Sequence, residues 1–140
     1  MGCARKSAFP RGASASLAIP PGRVDAEAVA ALEAAERRVP AAPQPGAFAV
    51  GSVVRTGGPE DRPQFEIRTQ VPDAARAVLF VEGPPDWYAG PPKIVSSNGR
   101  EVTFAVAIDR LGSKTKVAGA RLRFTLVSGE RAIEQVVALD

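Results

Sequence analysis

The sequence predicts an all-β domain of two antiparallel sheets packed face to face, behind a flexible or partly helical N-terminal segment. Three observations predict it. From residue 48 onward the chain holds seven short strand-like runs, separated by turn signals every eight to twelve residues or so. Three of these runs alternate apolar and polar side chains, so each carries one face that must meet another sheet. The chain also contains 13 glycines and 13 prolines in 140 residues, which favours turns and short strands over long helices.

The first 46 residues read as an appendage. Residues 1–23 are rich in Ala, Ser, Pro, Gly and Arg and carry only Leu17-Ala18-Ile19 as a local apolar group. DAEAVAALEAAERRV, residues 25–39, predicts a short helix. Alanine and glutamate favour it, Asp25 can cap its first amides, Arg37 and Arg38 suit its last turn, and Pro40 ends it. Its apolar face is thin, since only Val29, Leu32 and Val39 are large. AAPQPG, residues 41–46, has the composition of a linker. The folded domain is therefore expected over residues 47–140.

Its strands follow in order. FAVGSVVR, residues 48–55, is the first, with Gly51 marking a bulge. QFEIRTQV, residues 64–71, points Phe65, Ile67, Thr69 and Val71 one way and Gln64, Glu66, Arg68 and Gln70 the other. AVLFVEG, residues 77–83, is more fully apolar. A short strand at Ile94-Val95 leads to Asn98-Gly99, a strong hairpin signal. EVTFAVAID, residues 101–109, turns Val102, Phe104, Val106 and Ile108 inward. RLRFTLVS, residues 121–128, does the same with Leu122, Phe124 and Leu126. RAIEQVVALD, residues 131–140, closes the domain with Ile133, Val137 and Leu139 on one face, and Gln135 interrupts that row. About seven strands in this length match an immunoglobulin-like β-sandwich, with a small barrel as the alternative.

Composition removes several functions. The chain has no histidine, so histidine triads and histidine-containing zinc sites are excluded. Cys3 is the one cysteine and has no partner for a disulfide within the chain. A net charge of +3 from 18 basic and 15 acidic residues gives little steering toward nucleic acid. No apolar stretch is long enough to span a bilayer. MGCARKSAFPRG is not an intact secretory signal, and Lys6 stands where a myristoylation motif needs Ser or Thr. No cofactor or metal motif is present, and no residue is expected to be catalytic.

The residues that stand out lie in two loops. LFVEGPPDWYAGPPKIVSS, residues 79–97, contains the only tryptophan and the only tyrosine, side by side between two proline pairs. Trp87 and Tyr88, with Asp86 beside them, form either a braced contact tip or a plug over one end of the sandwich. Arg110, Lys114 and Lys116 head the densest basic cluster, which an acidic partner could use and which reads otherwise as a solvated loop. Glu82 and Asp86 in one loop, and Glu60 and Asp61 in another, have no spacing that marks a carboxylate pair or a calcium loop.

AARAVLFVEGPPDWYAGPPKI, REVTFAVAID and VAGARLRFTLVSGERAIEQVVAL together resemble the N-terminal periplasmic domain of bacterial membrane thiol:disulfide interchange reductases. The resemblance covers residues 48–139. It implies an immunoglobulin-like fold and a place in the periplasm or envelope. That family transfers electrons through a cysteine pair, and residues 48–140 contain no cysteine. The expectation is a non-catalytic protein-binding or accessory domain of the envelope, centred on the Trp87-Tyr88 loop. Its expected partner is another envelope protein or a fused domain, and an edge such as residues 48–55 offers pairing to a second copy. The alternative is a component of thiol-disulfide exchange acting through Cys3 or a partner's cysteines.

Overall fold

The computed structural model describes residues 15–18, 22 and 25–140. Cys3 lies outside them, as do most of the residues N-terminal to the helix. The helix α1, Ala26–Glu36, starts as its sequence dictates: the Asp25 carboxylate accepts from the Glu27 amide at 2.9 Å. It ends short of Pro40, with Arg37 as the C-terminal cap. None of its residues is buried, because alanines, glutamates and two larger apolar residues give it too little surface to dock.

Eight strands follow: β1 Ala49–Gly57, β2 Gln64–Gln70, β3 Ala77–Glu82, β4 Tyr88–Ala89, β5 Lys93–Asn98, β6 Glu101–Asp109, β7 Arg121–Ser128 and β8 Arg131–Ala138. One sheet runs β1-β2-β6, with β5 and the short β4 both pairing on the far side of β6. The other runs β3-β7-β8, and the strand pairs in both sheets are antiparallel. The chain is thus an all-β, two-sheet domain.

Alternation decides which side chains enter the core. Phe65, Ile67, Thr69 and Val71 are buried, as are Val102, Phe104, Val106 and Ile108, and Leu122, Phe124 and Leu126. Each large aliphatic side chain fully withdrawn from water contributes about 1.5–3 kcal/mol. Thr69 enters the core because its hydroxyl donates to the Val102 carbonyl at 2.8 Å, which removes the cost of an unpaired buried group. Gly51 does mark a bulge, since the β1–β2 register shifts between Val50 and Ser52. The β5–β6 turn consists of Gly99 and Arg100, one residue later than Asn98-Gly99 predicts. Asn98 pairs with Glu101, and Gly99 takes the left-handed position with φ +60°, the glycine-first form of a two-residue hairpin.

The two lateral sides of the sandwich differ. On the β1/β8 side, residues 41–48 lie against the sheets instead of spanning open solvent. The Ala41 amide donates to Ala132 O and the Glu134 amide to Ala41 O, both at 2.9 Å, making a parallel bridge to β8. Phe48 is buried beneath them, with the Arg131 guanidinium 5.5 Å from its ring centre. On the β3/β5 side no such cover exists among the described residues. Among them β3 pairs only with β7, and every residue of β5 is exposed. Between them runs an apolar groove of about 590 Å³ lined by β3, Pro91, Pro92, Ile94 and Phe104.

Candidate functional site

The end of the sandwich where the β3–β4 and β6–β7 loops meet carries most of the residues singled out by sequence. Its foundation is Arg110. This arginine directly follows β6 and keeps the inward parity of Val106 and Ile108, so its side chain enters the domain, only 7% exposed. Burying a guanidinium is costly unless its donors find acceptors. Arg110 meets that demand with main-chain oxygens: it donates to Glu60 O and to Thr115 O, and reaches the Glu60 carboxylate at 3.2 Å. Its backbone amide donates to Asp61 O at 2.9 Å. Among the described residues, its Nε alone finds no partner.

Trp87 packs on this cation. The Arg110 Cζ lies 5.0 Å from the indole centre, within reach of a cation–π attraction. Trp87 is 5% exposed and belongs to the main core cluster. Its Nε1 donates to Ser113 Oγ at 3.2 Å, so the one polar atom of the indole is satisfied. The loop can turn tightly enough because Trp87 N donates to Pro84 O at 2.9 Å and Gly83 sits against the ring. A Cβ at Gly83 would lie 3.0 Å from the Trp87 Cβ. Trp87 therefore closes the end of the core.

Above this floor the surface is apolar at two points. Tyr88 is 60% exposed and Leu111 is 71% exposed. Both line a shallow depression of about 430 Å³, together with Asp86, Gly112, Ser113, Lys114 and Thr115. Leu111 is the one described non-glycine residue with positive φ, at +31°. Its amide donates to Asp109 Oδ1 at 3.1 Å, and buried Arg110 anchors the residue before it. A left-handed leucine costs about 1–2 kcal/mol, so the surrounding bonds hold this side chain outward against a local preference.

The structure thus gathers Asp86, Tyr88 and Lys114 around one depression, with Trp87 and Arg110 as its buried supports. Lys116 is separate; it lines another depression with Val53, Val54, Arg55 and Leu139. Glu60 is engaged by two arginines, Arg55 at 3.0 Å and Arg110 at 3.2 Å. Among the described residues, no group of three or more Asp, Glu or Cys is placed to hold a metal ion, and no helix is long and apolar enough to cross a membrane. Sequence reasoning missed Leu111, which nothing in a lone Leu-Gly dipeptide distinguishes.

A family model described as "Domain of unknown function (DUF8393)" matches residues 38–140. No curated protein and no solved structure matches the chain.

Proposed function

The chain belongs to the DUF8393 family, and from that premise we propose that it is a non-catalytic protein-binding domain whose contact surface is the Tyr88–Leu111 end. One observation carries this reading. An exposed leucine is held in a disfavoured backbone conformation beside an exposed tyrosine, over a floor fixed by buried Arg110 and Trp87. Rigid apolar contacts lose little entropy on binding, and tyrosine is enriched among residues that dominate interfaces. Asp86 and Lys114 at the rim supply opposite charges that can orient a partner.

The strand orders β1-β2-β6-β5 and β3-β7-β8 support an immunoglobulin-like sandwich, whose two sheets carry strands A-B-E-D and C-F-G. Loops gathered at one end of such a sandwich commonly carry recognition. The resemblance to periplasmic domains of thiol:disulfide interchange reductases supports an envelope location, with an envelope protein or fused domain as partner. Cell fractionation that found the full chain only in the cytoplasm would remove that location.

A photo-cross-linking residue placed at position 88 or 111 of the full chain tests the contact surface in the cells that make it. Discrete adducts are expected from both positions and none from position 54 on β1, which is equally open to solvent at 53% exposure. No adduct from 88 and 111, or the same adducts from 54, overturns the reading.

A further inference from the structure

Between α1 and the folded domain lies a run of open chain. Residues 30–42 are all exposed, and no residue of α1 is buried. Past Glu36 the backbone is held by local bonds only. Arg37 N donates to Glu33 O at 3.2 Å, Arg38 N to Ala35 O at 3.0 Å and Val39 N to Glu36 O at 3.1 Å. Among the described residues, the first backbone bonds to a sheet are those at Ala41. A helix of 11 residues without tertiary support is marginal in water, so these bonds open at little cost. Here stand Arg37 and Arg38, the one pair of adjacent basic residues between positions 25 and 140. The family match begins at residue 38 and leaves α1 outside the shared domain.

We propose that the Arg38–Val39 peptide bond is a processing site, cut by an arginine-specific endoprotease to free residues 39–140 as an intact domain. The reaction is hydrolysis. The C–N bond breaks, the oxygen of water joins the Arg38 carbonyl carbon as a carboxylate, and its protons pass to Val39 N, the new amino terminus.

A protease must draw several residues into its cleft in extended form, so it cuts where the chain opens readily. The stretch around Arg38 meets that condition and the domain's other basic sites do not. Six of them lie in paired strands. Lys114 and Lys116 are the nearest rivals, but their loop is pinned. Arg110 donates to Thr115 O, and Val117 is buried at 6% exposure.

The cut falls far from the loop end. Ala41 pairs parallel to β8 beside Ile133, so the residues before it lead toward Arg131 and the β7–β8 turn. Tyr88 and Leu111 lie at the opposite end, where β6 finishes and β7 begins. Cleavage therefore keeps the core and the exposed Tyr88–Leu111 surface, and it removes Cys3 with the released piece.

Limited digestion of the full chain with trypsin, read by intact mass, tests whether the bond is open. Amino-terminal sequencing of the chain recovered from the cells that make it tests whether it is used. Digestion should accumulate a resistant product that begins at Val39 and melts within about 2 °C of the parent. Arg37→Gln combined with Arg38→Gln should abolish that product and leave the melting midpoint unchanged. The recovered chain should begin at Val39. Cutting at Lys114 or Lys116 before Arg38 overturns the proposal. So does a product that melts well below the parent, or a recovered chain that still carries α1. These outcomes are independent of the loop-end reading, which cross-linking at Tyr88 and Leu111 decides on its own.

Discussion

Gln135 of β8 and Val50 of β1 join the two sheets through a pair of hydrogen bonds. The side-chain amide accepts from Val50 N and donates to Val50 O, both at 3.0 Å. Gln135 thereby acts as one peptide unit of an additional strand at the point where the Gly51 bulge lifts β1 out of register with β2. The row of apolar residues on β8 is interrupted there because an apolar side chain would leave both backbone groups of Val50 unpaired.

Gln135→Leu removes both bonds without removing bulk. Each backbone group left without a partner in a part-buried position costs about 1–3 kcal/mol, so a total loss of about 2–6 kcal/mol is expected for the two groups in chemical denaturation. Hydrogen exchange should quicken first at the Val50 amide. A loss below 0.5 kcal/mol would mean that water replaces the glutamine freely.

The basic cluster divides sharply under substitution. Arg110→Ala removes the cation beneath Trp87 and strands the acceptors at Glu60 and Thr115, for an expected loss of about 3 kcal/mol. Trp87→Ala should cost about 3–5 kcal/mol through the cavity it leaves. Lys114→Ala and Lys116→Ala, both on exposed side chains, should stay within about 0.5 kcal/mol of the parent. Urea titrations of the four variants separate the two groups.

Leu111→Gly reverses the usual sign of a glycine substitution. Glycine accepts φ near +31° without the steric cost that leucine bears there. The relieved strain offsets the greater freedom of the unfolded chain, so the melting midpoint should hold or rise, by no more than about 1 kcal/mol in stability. The same variant should lose the cross-links that position 88 makes, because the apolar contact is gone. A clear loss of stability would show that Leu111 packs against its neighbours.

Asp73 gives the fold a feature sensitive to acid. The Arg76 guanidinium hydrogen-bonded to its carboxylate holds the Asp73 pKa below its ordinary 3.8; the Ala75 amide, which also donates to it, adds to the effect. Asp73 is thus more acidic folded than unfolded. Its contribution to stability is present above the unfolded value and is lost as pH falls through the lower folded one. A comparison of the parent with Asp73→Asn should therefore show a stability difference at pH 5 that vanishes in strong acid. A difference that does not change with pH would assign the effect to the geometry with which Asp73 caps the short 3-10 helix Ala74–Arg76.

The alternation of β2, β6 and β7 was legible because side chains in a strand repeat every two residues, and charged residues mark the outward set. The same rule breaks down at β3. Val78 and Phe80 are as apolar as Leu79, so no polarity contrast tells which residues face out, and the open edge shows only once the strand partners are known. β4 was invisible for another reason: two residues, Tyr88 and Ala89, pair with β6 through contacts across the chain, with no local pattern to announce them.

Arg110 shows a signal that was present but overridden. Its place in the sequence is two residues past Ile108, on the inward parity of β6. Its neighbours Lys114 and Lys116 suggest solvent, and composition outweighed parity. Gln135 is the mirror case, a polar residue in an inward row whose partner, Val50, lies 85 positions away. Local sequence could show that the row was interrupted, but not what filled the interruption.

The Ala41 bridge has a mechanical consequence. Residue 41 runs parallel to β8, so tension applied between α1 and the end of β8 slides the two segments past each other. The hydrogen bonds at Ala132 and Glu134 then carry load together in shear instead of opening one at a time. With the Gln135–Val50 pair immediately beside them, this side of the sandwich forms a short clamp that resists pulling along the chain, while the β3/β5 side bears none of that force.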